Sequence, residues 1–155
     1  MHAEDLMSHP IVSCHVNDTL NIAAHLMWDH DCGAIAVVND DGKLVGMVTD
    51  RDICMAAYTQ GRSLDTMLVN IAMSRGVISA RAKQSLYDVE QLMAHNKIRR
   101  IPVIDGEGRP IGLVSLNDIA RESAQPDTKI KQGAQKITHT LAAICTPRVA
   151  KRKAA

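Results

Sequence analysis

Gly46-Met47-Val48-Thr49-Asp50-Arg51-Asp52 has a second version in the same chain, Gly112-Leu113-Val114-Ser115-Leu116-Asn117-Asp118. Each copy runs from a glycine through two apolar residues to a hydroxyl residue, with an aspartate three positions later. The apolar run ending at a hydroxyl reads as a strand that gives way to a helix there. Sliding the chain against itself by 66 positions extends the match without a gap from Met7 to Cys54. Met7-Ser8 falls on Met73-Ser74, Leu20 on Leu86, Leu26-Met27 on Leu92-Met93, Val37 on Val103, Gly42 on Gly108, and Asp52-Ile53 on Asp118-Ile119. An ungapped match of that length makes the chain two copies of one unit.

Each unit reads β-α-β-β-α. Ile11–Ser13 and Val77–Ser79 are short extended segments. Helices follow over about Thr19–Trp28 and Ser85–His95, with Leu20, Ala23, Ala24 and Met27 at helical spacing. Ile35–Val38 and Ile101–Ile104 are continuously apolar, as strands buried on both faces are. Asn39-Asp40-Asp41-Gly42 and Asp105-Gly106-Glu107-Gly108 are turns, and Leu44–Val48 and Ile111–Val114 complete hairpins. A second helix starts at Thr49 and at Ser115. The fold class is mixed α/β (α+β). A unit of about 60 residues is near the lower limit for stability alone, so the two are expected to pack as one body about a pseudo-twofold axis. The units are assigned to residues 1–62 and 63–124, joined near Gln60–Asp65. Residues 125–155 form a third region, where Ile130, Ala134, Ile137, Leu141 and Ile144 fit an apolar helical stripe. Pro147 ends it, and Arg148, Lys151, Arg152 and Lys153 make a basic tail.

The net charge of +1 among 155 residues gives no general pull toward nucleic acid or a membrane. No apolar run approaches the ~20 residues of a membrane helix, and the start lacks a signal peptide's pattern, so a cytoplasmic protein is expected. Cys14, Cys32, Cys54 and Cys145 are widely spaced and read as reduced thiols. The seven histidines form no zinc-binding pair, and no nucleophile–base pair or Walker loop is present; the chain reads as no enzyme and as holding no metal. With no Phe, one Trp and two Tyr, ring stacking is not the main binding device.

The repeated motif carries the chemistry. Unpaired backbone N–H groups at a helix start favour an anion. Thr49 or Ser115 adds a hydroxyl, Arg51 a cation and Asn117 an amide. Asp52 or Asp118 offers two oxygens to a ribose diol. The same pair also fits a capping box, which satisfies the helix's own donors. One residue can serve both ends.

From about Asp5 to Ser123 the chain resembles tandem cystathionine-β-synthase (CBS) domains. The matching marks are the double repeat, Met-Ser near each start, Arg99-Arg100-Ile101-Pro102-Val103-Ile104-Asp105, and the glycine-to-aspartate motif in both copies. The resemblance implies a disc-like homodimer whose clefts hold adenosine compounds and which acts on a separate, unknown effector protein. It implies that Thr49 with Asp52, and Ser115 with Asp118, meet phosphate and ribose. It implies adenine slots at Val12-Ser13-Cys14 with Ile35-Ala36, and at Ile78-Ser79 with Ile101-Pro102. AMP, ADP or ATP is the expected ligand; NAD or S-adenosylmethionine, or an empty scaffold, is the alternative. Arg99 and Arg100 are expected on phosphate. The first copy has Gly33-Ala34 at those positions, which argues against strong phosphate binding by its own residues, while clefts between the repeats leave room for Arg99 or Arg100 to reach across. The sequence leaves open which cleft the arginines serve.

Overall fold

The computed structural model describes residues 1–123 and 133–146. The chain runs α1 (Ala3–Leu6), β1 (Ser13–His15), α2 (Leu20–Asp29), β2 (Ala34–Val38), β3 (Leu44–Thr49) and α3 (Asp50–Gln60). Two 3-10 turns, Leu64–Thr66 and Val69–Ile71, follow. The second half holds β4 (Ala80–Arg81), α4 (Leu86–Asn96), β5 (Arg100–Ile104), β6 (Pro110–Ser115) and α5 (Leu116–Ser123), and α6 (Gly133–Cys145) comes last. Each half has a three-stranded sheet in which the first strand lies parallel to the second and the second antiparallel to the third. The β-α-β-β-α reading and the mixed α/β class therefore hold. The first strand of each half begins about two or three residues later than the expected extended segment.

The hydrophobic pattern accounts for the layering. Ala34, Ile35, Ala36 and Val37 are all buried, as the unbroken apolar run requires. Thr19 and Ser85 cap α2 and α4 by accepting from the Ile22 and Asp88 amides. Gly61, at φ +58°, ends α3 in the left-handed conformation that glycine adopts without a Cβ penalty.

The two cores do not follow the order of the chain. Residues before the first repeat's strands pack on the second half: Ala3, Met1, Leu6 and Met7 join the cluster around Val89, Met93, Ile101 and Val114. Met67, Val69, Ala72 and Met73, which precede the second repeat's strands, join the cluster around Leu20, Ile35 and Val48. Ser8 pairs with Leu113 across this exchange, and Ser74 with Met47. The motif glycines make the approach possible. A Cβ on Gly46 would lie 2.6 Å from the Met73 sulfur and 3.1 Å from the Ser74 carbonyl. Gly112 meets Met7 in the same way. Repeated Met-Ser and repeated Gly are thus two sides of one contact. The hairpins are also tied together, where the Leu44 amide donates to Gly108 over 3.0 Å.

α6 lies against α4 and α5. Ile144 is buried in the second core with Leu141 beside it, as the apolar stripe anticipates. Ile130, Pro147 and the basic residues Arg148, Lys151, Arg152 and Lys153 lie outside the described residues.

Candidate functional site

The repeated motif sits where β3 enters α3 and where β6 enters α5. Thr49 is the N-cap of α3, and with Asp52 it forms a complete capping box. Asp52 Oδ2 accepts from the Thr49 amide over 2.9 Å and from its hydroxyl over 2.7 Å; Thr49 Oγ1 accepts from the Asp52 amide. Ser115 and Asp118 repeat the arrangement, at 2.8 and 2.6 Å. Each hydroxyl proton is therefore already given to the aspartate. A phosphate can receive it only if the hydroxyl turns away, which leaves Oδ2 with the backbone amide as its remaining donor.

The two boxes differ at the second carboxylate oxygen. Asp118 is buried, and its Oδ1 accepts from Arg121. The position equivalent to Arg121 in the first half is Met55, and Asp52 Oδ1 makes none of these bonds. Asp52 is thus the aspartate with an oxygen to spare.

A cleft of about 480 Å³ crosses from one half to the other. Thr49, Arg51 and Met47 line it from the first half. The crossing segment contributes Ser74, Arg75, Val77 and Ile78, and the second half contributes Lys97, Arg99, Arg100 and Pro102. Five cationic residues (Arg51, Arg75, Lys97, Arg99 and Arg100) line this space, and no aspartate or glutamate does. Arg99 and Arg100 therefore stand across from Thr49, in the cleft of the first repeat's motif. Of the arrangements the sequence left open this is the one that reaches across: the half without its own arginine pair has its motif in the cationic cleft. Arg100 also pairs in register with Ser115, and its guanidinium reaches to 3.5 Å from where a Cβ on Gly33 would stand. The absence of a side chain at Gly33 leaves room for it.

Shifting the cationic residues by 66 positions shows what the other motif has around it. Asn117 replaces Arg51, His9 replaces Arg75, Asp31 replaces Lys97, Gly33 replaces Arg99 and Ala34 replaces Arg100. The counterpart positions of the second motif hold no lysine or arginine.

Not every residue expected at a ligand slot lies in one. Cys14 and Ile35 belong to the first core and Ile101 to the second. The period of two along a strand explains the split, since Pro102 lies in the cleft while its neighbour Ile101 points into the core. Burial and the nearby Asp18 charge push the Cys14 thiol up to about 12. Ile78 lines the cleft, whereas its neighbour Ser79 is half-buried outside the lining. Val12 accepts from the Ala36 amide, and Ala36 is fully buried beside exposed Ser13. Asn117 is exposed. Asp52 borders a shallow groove with Met55 and Ile71 instead of lining the cationic cleft. Met47, Ser74, Arg75 and Lys97 are cleft residues that sequence reasoning missed. The repeated Met-Ser doublet was the available signal, because it fixes the crossing segment that carries Arg75. Among the described residues no group of three or more His, Cys, Asp and Glu side chains stands together as metal ligands do, and no helix is long and apolar enough to cross a membrane.

The family model of the CBS domain matches twice, over residues 3–58 and 68–125. The chain belongs to the CBS domain family. It is 40% identical over 117 residues to the CBS domain-containing protein YhcV of Bacillus subtilis, covering 76% of this chain and 81% of that protein. It is 32% identical over 145 residues to hypoxic response protein 1 of Mycobacterium tuberculosis, covering 94% of each. Among solved structures, the CBS domain pair of protein MJ0100 in complex with 5-methylthioadenosine and S-adenosyl-L-methionine superposes with a TM-score of 0.71 at 29% identity, covering 78% of this chain and 94% of that one. The two structures agree in the arrangement of paired repeats.

Proposed function

We propose that this CBS pair is a regulatory module that binds a phosphorylated adenosine nucleotide (AMP, ADP or ATP) in the cationic cleft, performs no chemistry on it, and signals as a homodimer to a separate protein. The observation that carries the reading is the convergence of five cations beside Thr49 with no carboxylate in the lining. A phosphate chain there would receive charge-assisted bonds from Arg99, Arg100 and Arg51 and from amides at the start of α3. Asp52 does not line this cleft, but its Oδ2 touches the Thr49 hydroxyl at 2.7 Å, so a ribose seated beside Thr49 at the cleft edge comes next to the carboxylate. Ile78, Val77 and Pro102 give an aliphatic bed for adenine, which suits a chain nearly without aromatic rings. The signal requires that the nucleotide bind one conformation of the module better than another.

A second reading concerns the other motif. S-adenosylmethionine carries a sulfonium and an ammonium, which the five cations of the first cleft repel. The counterpart positions, with Asp31 and without lysine or arginine, oppose it less. S-adenosylmethionine or an uncharged adenosine compound therefore belongs there if the chain binds one.

The test is thermal unfolding with each ligand at a hundredfold excess over its Kd. A ligand that binds only the folded form then stabilises it by about 2.7 kcal/mol. ATP or AMP is expected to raise the melting temperature, and free phosphate or guanosine nucleotides to change it little. An equal response to guanosine nucleotides would remove adenine from the proposal.

A further inference from the structure

Arg100 stands where two spaces meet. It lines the cationic cleft, and its guanidinium Nη2 comes within 3.5 Å of the point where a Cβ on Gly33 would stand. Asp50 Oδ2 lies 3.0 Å from that same point. The two charges therefore meet over the bare backbone of Gly33, no further apart than the sum of those distances and well within a Debye length. Asp50 and Gly33 do not line the cleft. They line a second space, the groove between α2 and α3, together with Cys32 and Trp28.

Asp50 is fixed for this meeting. Its amide donates to the Gly33 carbonyl over 3.3 Å, which ties the start of α3 to the Gly33 turn. Its Oδ1 accepts from the Arg51 amide over 2.7 Å, which leaves Oδ2 as the oxygen toward Gly33 and Arg100. The charge of Arg100 is also felt inside the groove: burial pushes the Cys32 thiol up, while the Ala34 backbone and Arg100 act in the opposite direction. The arrangement occurs once in the chain. Shifted by 66 positions, Asp50 becomes Leu116, Gly33 becomes Arg99, Cys32 becomes Ile98, and Arg100 falls on Ala34.

We propose that Asp50 competes with the nucleotide for Arg100: its carboxylate holds the guanidinium over Gly33 when the cleft is free, and a bound phosphate draws the guanidinium into the cleft, so that occupancy of the cleft changes the charge at the α2–α3 groove. The two positions of Arg100 differ in affinity for phosphate, which is what a ligand needs in order to shift an equilibrium. Asp50 thereby sets the threshold for binding, and the Cys32-Gly33 turn receives the signal. This rests on the nucleotide reading of the cleft and adds how its occupation reaches a surface outside it.

Isothermal titration of the full chain with ATP and with adenosine, across Asp50→Asn, Arg100→Ala and the double variant, tests the competition. Asp50→Asn is expected to tighten ATP binding about two- to fivefold, the range an exposed ion pair supports, and to leave adenosine unchanged. In the Arg100→Ala background that gain should disappear. A gain of the same size without Arg100 would be a general field effect and would overturn the proposal, as would ATP binding that is unchanged or weaker in Asp50→Asn. A wild type that binds no nucleotide would overturn the nucleotide reading itself. A second measurement needs no variant: alkylation of Cys32 by iodoacetamide, followed by peptide mass so that the other three cysteines are read separately. The thiolate is the reacting form, so withdrawal of Arg100 should slow the reaction about twofold or more at saturating ATP and not at saturating adenosine. Equal Cys32 rates with the two ligands would contradict the transfer of charge.

Discussion

The two motif sites have the same backbone geometry and opposite electrostatics. Around Thr49 stand five cations; at the equivalent positions around Ser115 stand an asparagine, a histidine, an aspartate, a glycine and an alanine. The capping boxes match to within 0.1 Å, so the backbone does not distinguish them. The difference lies in what the opposite half lends to each cleft. A repeat therefore cannot be ranked as a binding site from its own residues, because its partners come from the other copy.

The largest expected effect is from removing the pair that makes the clefts unequal. Arg99→Ala with Arg100→Ala should weaken ATP binding by at least about a hundredfold, since each hydrogen bond involving a charged group contributes about 1.5–3 kcal/mol. Adenosine binding should change little, and isothermal titration measures both. An equal loss for adenosine would mean that the arginines shape the cleft instead of binding phosphate.

The next largest effect separates the two aspartates. Asp52→Asn should weaken nucleotide binding by about tenfold, because the ribose loses a charged acceptor. It should leave stability nearly unchanged, since an asparagine oxygen still accepts in a cap. Asp118→Asn should do the reverse: it is buried and bonded to Ser115 and Arg121, so about 1 kcal/mol of stability is expected to go while nucleotide affinity holds. Arg121 is itself mostly exposed, which limits its share. Denaturant midpoints and titrations on both variants check the contrast, and matched losses at the two sites would erase it.

A smaller effect concerns pH. In the folded state Cys14 keeps its proton up to about 12, whereas in the unfolded chain it ionises near 9. The folded form then binds the extra proton between those values, so stability falls as pH rises through that window, by at most about 1.4 kcal/mol per pH unit. Cys14→Ala should flatten the alkaline slope of the unfolding free energy. A slope unchanged by the substitution would place the titration elsewhere. Because Cys14 is core and not cleft, nucleotide binding should be indifferent to this change.

Much of the fold was legible because it is written twice. The hairpins, the helices and their caps follow from apolar periodicity and from Thr19, Ser85, Thr49 and Ser115 standing just before helical runs. The exchange of lead-in segments was less visible, although the repeat does continue upstream, where Met1 matches Met67 and Ala3 is equivalent to Val69. Short runs of that kind make no helical or strand period of their own, so only packing reveals that both are core. The residues of the proposed site could be nominated from the sequence, but their assembly into one cleft could not. Thr49, Arg51, Arg99 and Arg100 are proposed for the site on their residue types, but sequence distance hides that they line one cleft. Arg75 and Lys97 had no motif to announce them. The resemblance puts Ile35-Ala36 and Ile101-Pro102 at the slots as pairs, and the alternation of a strand sends the two residues of such a pair to opposite faces.

The inequality of the two clefts is the central claim, and titration of the wild-type chain with ATP and with adenosine at one ionic strength tests it most directly. The geometry predicts one dominant ATP site per chain, at least about tenfold tighter than adenosine and weakened by added salt, as a cationic cleft requires. Equal affinities for ATP and adenosine, or two equivalent ATP sites per chain, would contradict it.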